Sequence, residues 1–126
     1  EAAAYPLALV TGTGDARLLD WGPAVEALLA DVAAGEPVGR MSARFHNGLV
    51  AAIVDVVRAT GERRVALTGG CFQNRLLTER ASAVLADAGC EVLLHRQTPP
   101  NDGCISLGQL AVAAARLDLA AESAEA

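Results

Sequence analysis

The chain has 126 residues, which is the size of one domain, so these residues by themselves are too few to form a multidomain enzyme. Hydrophobic residues make up 52% of the sequence and aromatic residues only 3%, so the core must be built from small aliphatic side chains. All ten basic residues are Arg, and fifteen acidic residues give a net charge of −5. Because the chain has no Lys, a Schiff-base lysine and a Walker-type phosphate loop are both excluded.

The acidic balance also argues against a nucleic-acid surface, since such surfaces neutralise phosphates with clustered basic residues. Small molecules or proteins are therefore the expected partners. The sequence has neither an apolar run of membrane-spanning length nor a charged-then-apolar leader, so we expect no membrane association. Its first residue is Glu rather than Met, and we expect the chain to be a piece of a longer protein.

The three cysteines, Cys71, Cys90 and Cys104, are odd in number and widely spaced. This pattern fits neither a disulfide framework nor a paired-cysteine metal site. It favours a reducing compartment, and we expect the cytoplasm.

The first elements along the chain are predicted from short apolar runs and turn residues. Runs at 5–10 and 17–20 flank a Gly-rich turn at 11–15, which predicts a β-hairpin. Gly22-Pro23 then opens a helix whose stop is Gly35. A second helix is predicted from about Ser42 to Thr60, ended by Gly61. Helical periodicity places these apolar side chains on one face of each helix: Val25, Leu28, Leu29 and Val32 in the first, and Phe45, Leu49, Ile53 and Val56 in the second.

The second half of the chain has the pattern of a strand–helix–strand unit. Short apolar runs at 65–68 and 92–94 are typical of buried parallel strands, and the helical period between them ends at Gly89. A last helix is predicted from Ile105 to Leu117. The Ala- and Glu-rich segment 118–126 has no apolar periodicity, and we expect a disordered tail.

The segment Thr68–Asn74 joins the first of these strands to its helix. Its two glycines, Gly69 and Gly70, would let backbone N–H groups approach a phosphate or ribose closely, beside the positive end of the helix. Asn74 could reach that ligand or only cap the helix. A tight strand-to-helix turn without any ligand is the alternative.

The segment Thr98–Ile105 follows the second strand, and its two prolines fix where Asn101 and Asp102 point. Parallel strands would bring it to the same sheet edge as Gly69 and Gly70, where open α/β sheets bind ligands. Asp102 could then offer an oxygen ligand to a metal ion. Its alternative role is an Asx turn or the N-cap of the last helix.

The remaining candidates have structural alternatives. His46 lies one position off the apolar stripe of its helix, where a structural role or one supporting the site is favoured, and Phe45 is expected in the core. His95 follows a strand end, but a single His is not a metal site. Cys71 and Cys104 lie in the two loops and are more commonly small buried side chains than reactive ones.

Three segments taken together, Phe45–Asn47, Thr68–Leu77 and Pro99–Gln109, resemble the C-terminal part of the HypF family of hydrogenase maturation carbamoyltransferases. The likeness covers roughly residues 5 to 117 in the same order. It implies an α/β fold: a Kae1-like subdomain of the actin/Hsp70 (ASKHA, ribonuclease H-like) class, with an N-terminal hairpin and helices packed on a small mixed sheet. Residues 1–117 would form the C-terminal subdomain.

The resemblance implies a carbamoyltransferase that uses carbamoyl phosphate and ATP to form carbamoyl adenylate. The carbamoyl group would then pass to the C-terminal cysteine of the partner protein HypE during [NiFe] hydrogenase maturation. The acylphosphatase-like, zinc-finger and YrdC-like segments of that family are absent from this sequence. We therefore expect this chain to be inactive on its own.

The family pattern assigns Gly69, Gly70 and Asn74 to the nucleotide side of the site, and it assigns no catalytic residue here. Asp102 matches an aspartate that completes a divalent-metal site, whose histidine ligands lie in an HxxxH motif that this chain lacks. Cys104 replaces a Gly common in the family. The alternatives are an O-carbamoyltransferase of secondary metabolism and a non-catalytic docking module.

Overall fold

A computed structural model describes residues 1–14 and 16–124, apart from the side chains of 118–124, so Asp15 of the predicted turn lies outside it. Its class is α/β, as the sequence predicts. The elements in chain order are β1 (Ala8–Thr11), β2 (Arg17–Asp20), α1 (Gly22–Ala33), α2 (Val38–Thr60), β3 (Arg64–Leu67), α3 (Arg75–Asp87), β4 (Glu91–Leu94) and α4 (Ile105–Ala124). Short 3-10 turns at Gly70–Gln73 and Asp102–Cys104 precede α3 and α4.

The strands form two small sheets. β1 and β2 pair as the predicted antiparallel hairpin, with Leu9 opposite Leu19. β3 and β4 pair in parallel, with Leu67 opposite Leu94, and α3 connects them. Within the described ranges the hairpin and the parallel pair remain separate two-stranded sheets.

The predicted helix ends at glycines are confirmed. Gly35 and Gly61 follow α1 and α2 with φ values of 72° and 73°, the left-handed conformation that glycine adopts without strain. α2 begins at Val38 rather than near Ser42, and Pro37, with extended backbone at ψ 134°, is the residue immediately before it. α4 ends later than predicted: its backbone is helical through Ala124, since Ala and Glu favour a helix without apolar periodicity. Residues 125–126 of the expected tail lie outside the described part.

The core lies where α2 and α3 cover one face of β3. As the composition requires, it is aliphatic, and the side chains of Ala81 and Leu85 are completely buried. Its buried members are Val50, Val54, Leu67, Leu77, Ala81 and Leu85.

One expectation about the core is wrong. Phe45 is 44% exposed and contacts the His46 ring edge-to-face, because the buried stripe of α2 runs through Val50 and Val54 instead. The apolar face predicted for α1 is also largely open, with Leu29 61% exposed. Both side chains lie on apolar helix faces, as the periodicity predicts. No other part of the described chain packs against those two positions.

The N-terminal segment packs along α2, where the buried Tyr5 forms hydrogen bonds. The Tyr5 backbone N–H donates to the Arg44 carbonyl, and its hydroxyl donates to an Asp31 carboxylate oxygen at 2.6 Å. Arg44 donates to the same oxygen, also at 2.6 Å. The Tyr5 hydrogen bond, followed by the Arg44 bond, lowers the pKa of Asp31. Gly48 permits the close packing, because a Cβ there would lie 2.5 Å from the Tyr5 carbonyl oxygen.

α4 extends away from the core. Each of its residues from Ile105 to Leu117 is exposed, including Leu107 and Leu110. Across residues 1–14 and 16–124, no helix combines the length and apolarity that crossing a membrane requires.

Candidate functional site

Two loops meet at the edge of the parallel sheet, as the sequence predicts. We call Thr68–Asn74, which follows β3, the glycine loop, and 95–104, which follows β4, the proline loop. Because β3 and β4 are parallel and end in register at Leu67 and Leu94, both loops leave the sheet on the same side. Open α/β sheets place their ligands at this edge.

Backbone and side-chain hydrogen bonds hold the loops together. The Gly69 N–H donates to the Pro100 carbonyl at 2.6 Å, and the Thr68 hydroxyl donates to the same carbonyl at 3.4 Å. His95 lies between two hydroxyls, with Nε2 2.9 Å from Thr68 Oγ1 and Nδ1 3.0 Å from Thr98 Oγ1. The Thr68 contact joins His95 to the glycine loop, and the Thr98 contact lies within the proline loop. His95 is therefore a connector between the loops.

The two glycines of the glycine loop have different roles: one makes the turn, and the other leaves open space. Gly69 has φ 103° and ψ 161°, a conformation essentially restricted to glycine, so this residue makes the turn. Its N–H is already bonded to Pro100 and is not available to a ligand. A Cβ at Gly70 would meet no atom within 4 Å. The space in front of Gly70 is thus open to an incoming group.

Both the oxygen and the nitrogen of the Asn74 side-chain amide form hydrogen bonds. Its Oδ1 accepts from the Leu77 N–H at 3.2 Å, which caps α3. Its Nδ2 lies 2.8 Å from Nε2 of His46, while Nδ1 of His46 lies 2.7 Å from the Ser42 carbonyl. The carbonyl requires a proton on Nδ1, so Nε2 accepts from Asn74. The capping interpretation of Asn74 is confirmed, and the favoured structural role of His46 is to orient this amide.

Asp102 does not form the Asx turn that was its alternative role. That turn belongs to Asn101, whose Oδ1 accepts from the Gly103 N–H at 3.0 Å. Asp102 opens the following 3-10 turn with an exposed side chain, and no described residue forms a hydrogen bond or ion pair with its carboxylate. The carboxylate is therefore accessible to a ligand from outside the chain.

An oxygen ligand of this kind suits a hard divalent cation. Among the side chains that the structure describes, those of residues 1–14 and 16–117, no three His, Cys, Asp or Glu come together as a metal-binding group. His95 is close along the chain, but both of its ring nitrogens are engaged by hydroxyls. Among the described residues, Asp102 is therefore one exposed carboxylate and not a metal site by itself.

One further residue, Asn47, has a role that sequence reasoning missed. Asn47 donates to the backbone carbonyls of Glu1 and Ala3 and accepts from Arg80, so it joins the N-terminal segment, α2 and α3. The expectation that the two loop cysteines are buried is wrong for Cys71, which is exposed in the glycine loop, whereas Cys104 is half-buried; both are free thiols. The only signal for Asn47 was its place next to His46 in the first of the three family-like segments.

Paired loops at the carboxyl ends of parallel strands are typical of α/β subdomains, the class to which this fold belongs. A family profile described as "Carbamoyltransferase, Kae1-like Domain, second subdomain" matches residues 1–109. The chain is 37% identical over 107 residues to the carbamoyltransferase HypF of Synechocystis sp. and 46% identical over 102 residues to HypF2 of Cupriavidus necator. The chain belongs to the HypF carbamoyltransferase family, as the second subdomain of its Kae1-like domain.

The structure agrees with this assignment. It matches a crystal structure of full-length HypF in a phosphate- and nucleotide-bound form with a TM-score of 0.79 and 33% identity, over 86% of this chain and 15% of that one. The Synechocystis and Cupriavidus alignments cover 84% and 78% of this chain, but only 13% and 12% of those relatives. The chain therefore spans about an eighth of the length of these relatives.

Proposed function

We propose that this chain supplies one wall of the nucleotide- and metal-binding cleft of a HypF-type carbamoyltransferase. The whole enzyme would form carbamoyl adenylate from carbamoyl phosphate and ATP and transfer the carbamoyl group to the C-terminal cysteine of HypE. The observation that carries the proposal is the joined pair of loops, with open space at Gly70 on one loop and an accessible carboxylate at Asp102 on the other. The full-length HypF relative that shares this fold is a phosphate- and nucleotide-bound structure.

The proposed roles follow from the geometry of each residue. Gly69 turns the chain and bonds to Pro100, which fixes the spacing of the loops, and Gly70 leaves room for a phosphate to approach the backbone. Asn74 keeps the start of α3 in place and, with it, the positive end of the helix. A divalent cation held partly by Asp102 would neutralise phosphate charge.

The state of the cysteines supports a proposal about the compartment. The three cysteines are free thiols, which agrees with the reducing cytoplasm that we propose for the enzyme.

Asp102→Asn in the full-length enzyme tests the proposal. That enzyme can be made from its own upstream sequence or by exchanging this chain for the matching segment of the Cupriavidus relative. Because Asn101 and not Asp102 makes the turn, the substitution removes a charge without removing a cap. We expect an unchanged melting temperature of the metal-free protein, but lower metal occupancy and at least tenfold slower carbamoyl-phosphate-dependent exchange of pyrophosphate into ATP.

Asp87→Asn, at the exposed end of α3, is the matched control and should change neither quantity. Unchanged metal content and exchange rate in Asp102→Asn would contradict the assignment of this residue. Absence of ATP binding by the wild-type full-length protein in calorimetry would instead indicate a docking module.

A further inference from the structure

His46 lies where α2 meets the start of α3, outside the two loops of the candidate site. Its side chain is half-buried. Nδ1 of the ring lies 2.7 Å from the Ser42 carbonyl, one helical turn earlier, and Nε2 lies 2.8 Å from Nδ2 of Asn74. Phe45 packs edge-to-face against the ring. The imidazole is therefore fixed in place beside the glycine loop.

The direction of the hydrogen bond between His46 and Asn74 follows from the groups on either side of it. The Ser42 carbonyl can only accept, so Nδ1 of His46 carries the ring proton and Nε2 is an acceptor. The Leu77 N–H can only donate, so it faces Oδ1 of Asn74 and leaves the amide nitrogen toward His46. Both neighbours thus require the same arrangement, a neutral ring that accepts from the amide.

This arrangement determines which polar atom Asn74 offers to a ligand. Its amide nitrogen has two N–H groups; one donates to His46, and no described residue accepts from the other. Asn74 is exposed and lies in the same loop as the open space at Gly70. A free N–H donor suits a phosphate oxygen. An amide turned the other way would instead offer an oxygen, which repels a phosphate, and would break the cap of α3.

We propose that His46 is a positioning residue for the phosphates of the nucleotide. It holds the Asn74 amide with an N–H donor free for the ligand and with the oxygen on the N-terminus of α3. His46 therefore acts on the nucleotide only through Asn74. The inference deepens the proposed function and rests on it for the identity of the ligand, whereas the coupling of His46 to Asn74 rests on their contacts alone.

Two substitutions of His46 in the full-length enzyme compare a donor with an acceptor at this position. Lys has only donors, whereas Gln offers an oxygen on a side chain of similar length, and the two have similar helix propensities. We expect His46→Lys to lower the melting temperature by several degrees, because the cap is lost. It should also raise the apparent KM for ATP in pyrophosphate exchange about fivefold, the effect of one lost hydrogen bond, with a smaller change in kcat. His46→Gln should match the wild type.

The charge of Lys makes the outcome decisive. A cation near phosphates would by itself lower the KM for ATP, which is opposite to the rise that we expect. An unchanged or lowered KM in His46→Lys would therefore overturn the proposal. An equal rise in His46→Gln would overturn it too, because the acceptor would then not be what matters.

The Asn74→Ala background tests whether His46 acts through Asn74. In that background His46→Lys should change neither the KM for ATP nor the melting temperature any further. An added effect as large as that of the single variant would overturn the proposal. Ala51→Lys, which adds the same charge at an exposed position of α2, is the matched control and should resemble the wild type.

If His46→Lys does not fold, His46→Leu takes its place, because Leu has neither donor nor acceptor. It should raise the KM for ATP about threefold, and a wild-type KM would overturn the proposal. Failure of the wild-type enzyme to bind ATP would refute the proposed function instead. The melting temperatures would then decide the coupling alone: additive losses from the His46 and Asn74 substitutions would overturn it, and equal values in the double variant and Asn74→Ala would support it.

Discussion

Replacing Asn74 by Ala removes two hydrogen bonds at once, one to the helix and one to His46. Loss of an N-cap costs about 1 kcal/mol, and loss of an exposed side-chain hydrogen bond costs about 0.5–1 kcal/mol. The expected decrease in the free energy of unfolding is therefore about 1.5–2 kcal/mol. For a domain of this size that corresponds to a melting temperature lower by about 5–10 °C.

Asn74→Asp separates the two bonds. Aspartate caps a helix about as well as asparagine, so the bond from the Leu77 N–H is kept, whereas the amide donor to His46 is lost. We expect Asn74→Asp to recover about 1 kcal/mol of the stability that Asn74→Ala loses. Urea and thermal unfolding of the 126-residue chain, followed by circular dichroism, measures both differences.

The same pair of variants in the full-length enzyme reports on function. If Asn74 also faces the nucleotide, a carboxylate there repels phosphates, and calorimetry should show weaker ATP binding for Asn74→Asp despite its near-normal stability. Unchanged ATP affinity in both variants would leave Asn74 as a cap alone. Equal destabilisation by Ala and Asp would refute the capping argument itself.

Three other predictions concern stability and its pH dependence. Gly69→Ala should lose about 1–3 kcal/mol of stability in urea unfolding, because its backbone conformation is strained for other residues, while Gly70→Ala, where a Cβ has open space, should unfold like the wild type. Gly48→Ala should lower the melting temperature by several degrees, since a Cβ there would displace the carbonyl of Tyr5, and an unchanged value would show that the N-terminal segment is not seated on α2. The pKa of Asp31 is lower in the folded protein than in the unfolded chain, so this carboxylate contributes stability above the unfolded pKa of about 4. That contribution is lost as the pH falls through the folded pKa. Melting temperatures measured from pH 6 to pH 2 should therefore fall less steeply in Asp31→Asn than in the wild type.

The order and type of the elements could be predicted from the sequence because each depends on local patterns. The helix ends at Gly35 and Gly61, the hairpin and the strand–helix–strand unit all follow from periodicity and turn residues. Which apolar side chains are buried in the core was less predictable. Periodicity shows that Phe45 belongs to an apolar face, but not whether this chain or another part of the protein covers that face.

In the candidate site, too, the topology could be predicted from the sequence, whereas the side-chain contacts could not. Parallel strands suffice to predict that the glycine and proline loops share one edge. The contact between Asn74 and His46 joins residues 28 positions apart, and it depends on how α2 is rotated against α3. Spacing along the sequence carries no information on that rotation.

The position of the core along the chain has a consequence for how the site is assembled. All of its buried members come from one continuous stretch, Val50 to Leu85, which includes the glycine loop. The proline loop lies outside this stretch, and its place depends on the pairing of β4 with β3 and on the bond from Gly69 to Pro100. One side of the cleft is therefore anchored in the core, whereas the side that carries Asp102 is held only through β4 and the glycine loop.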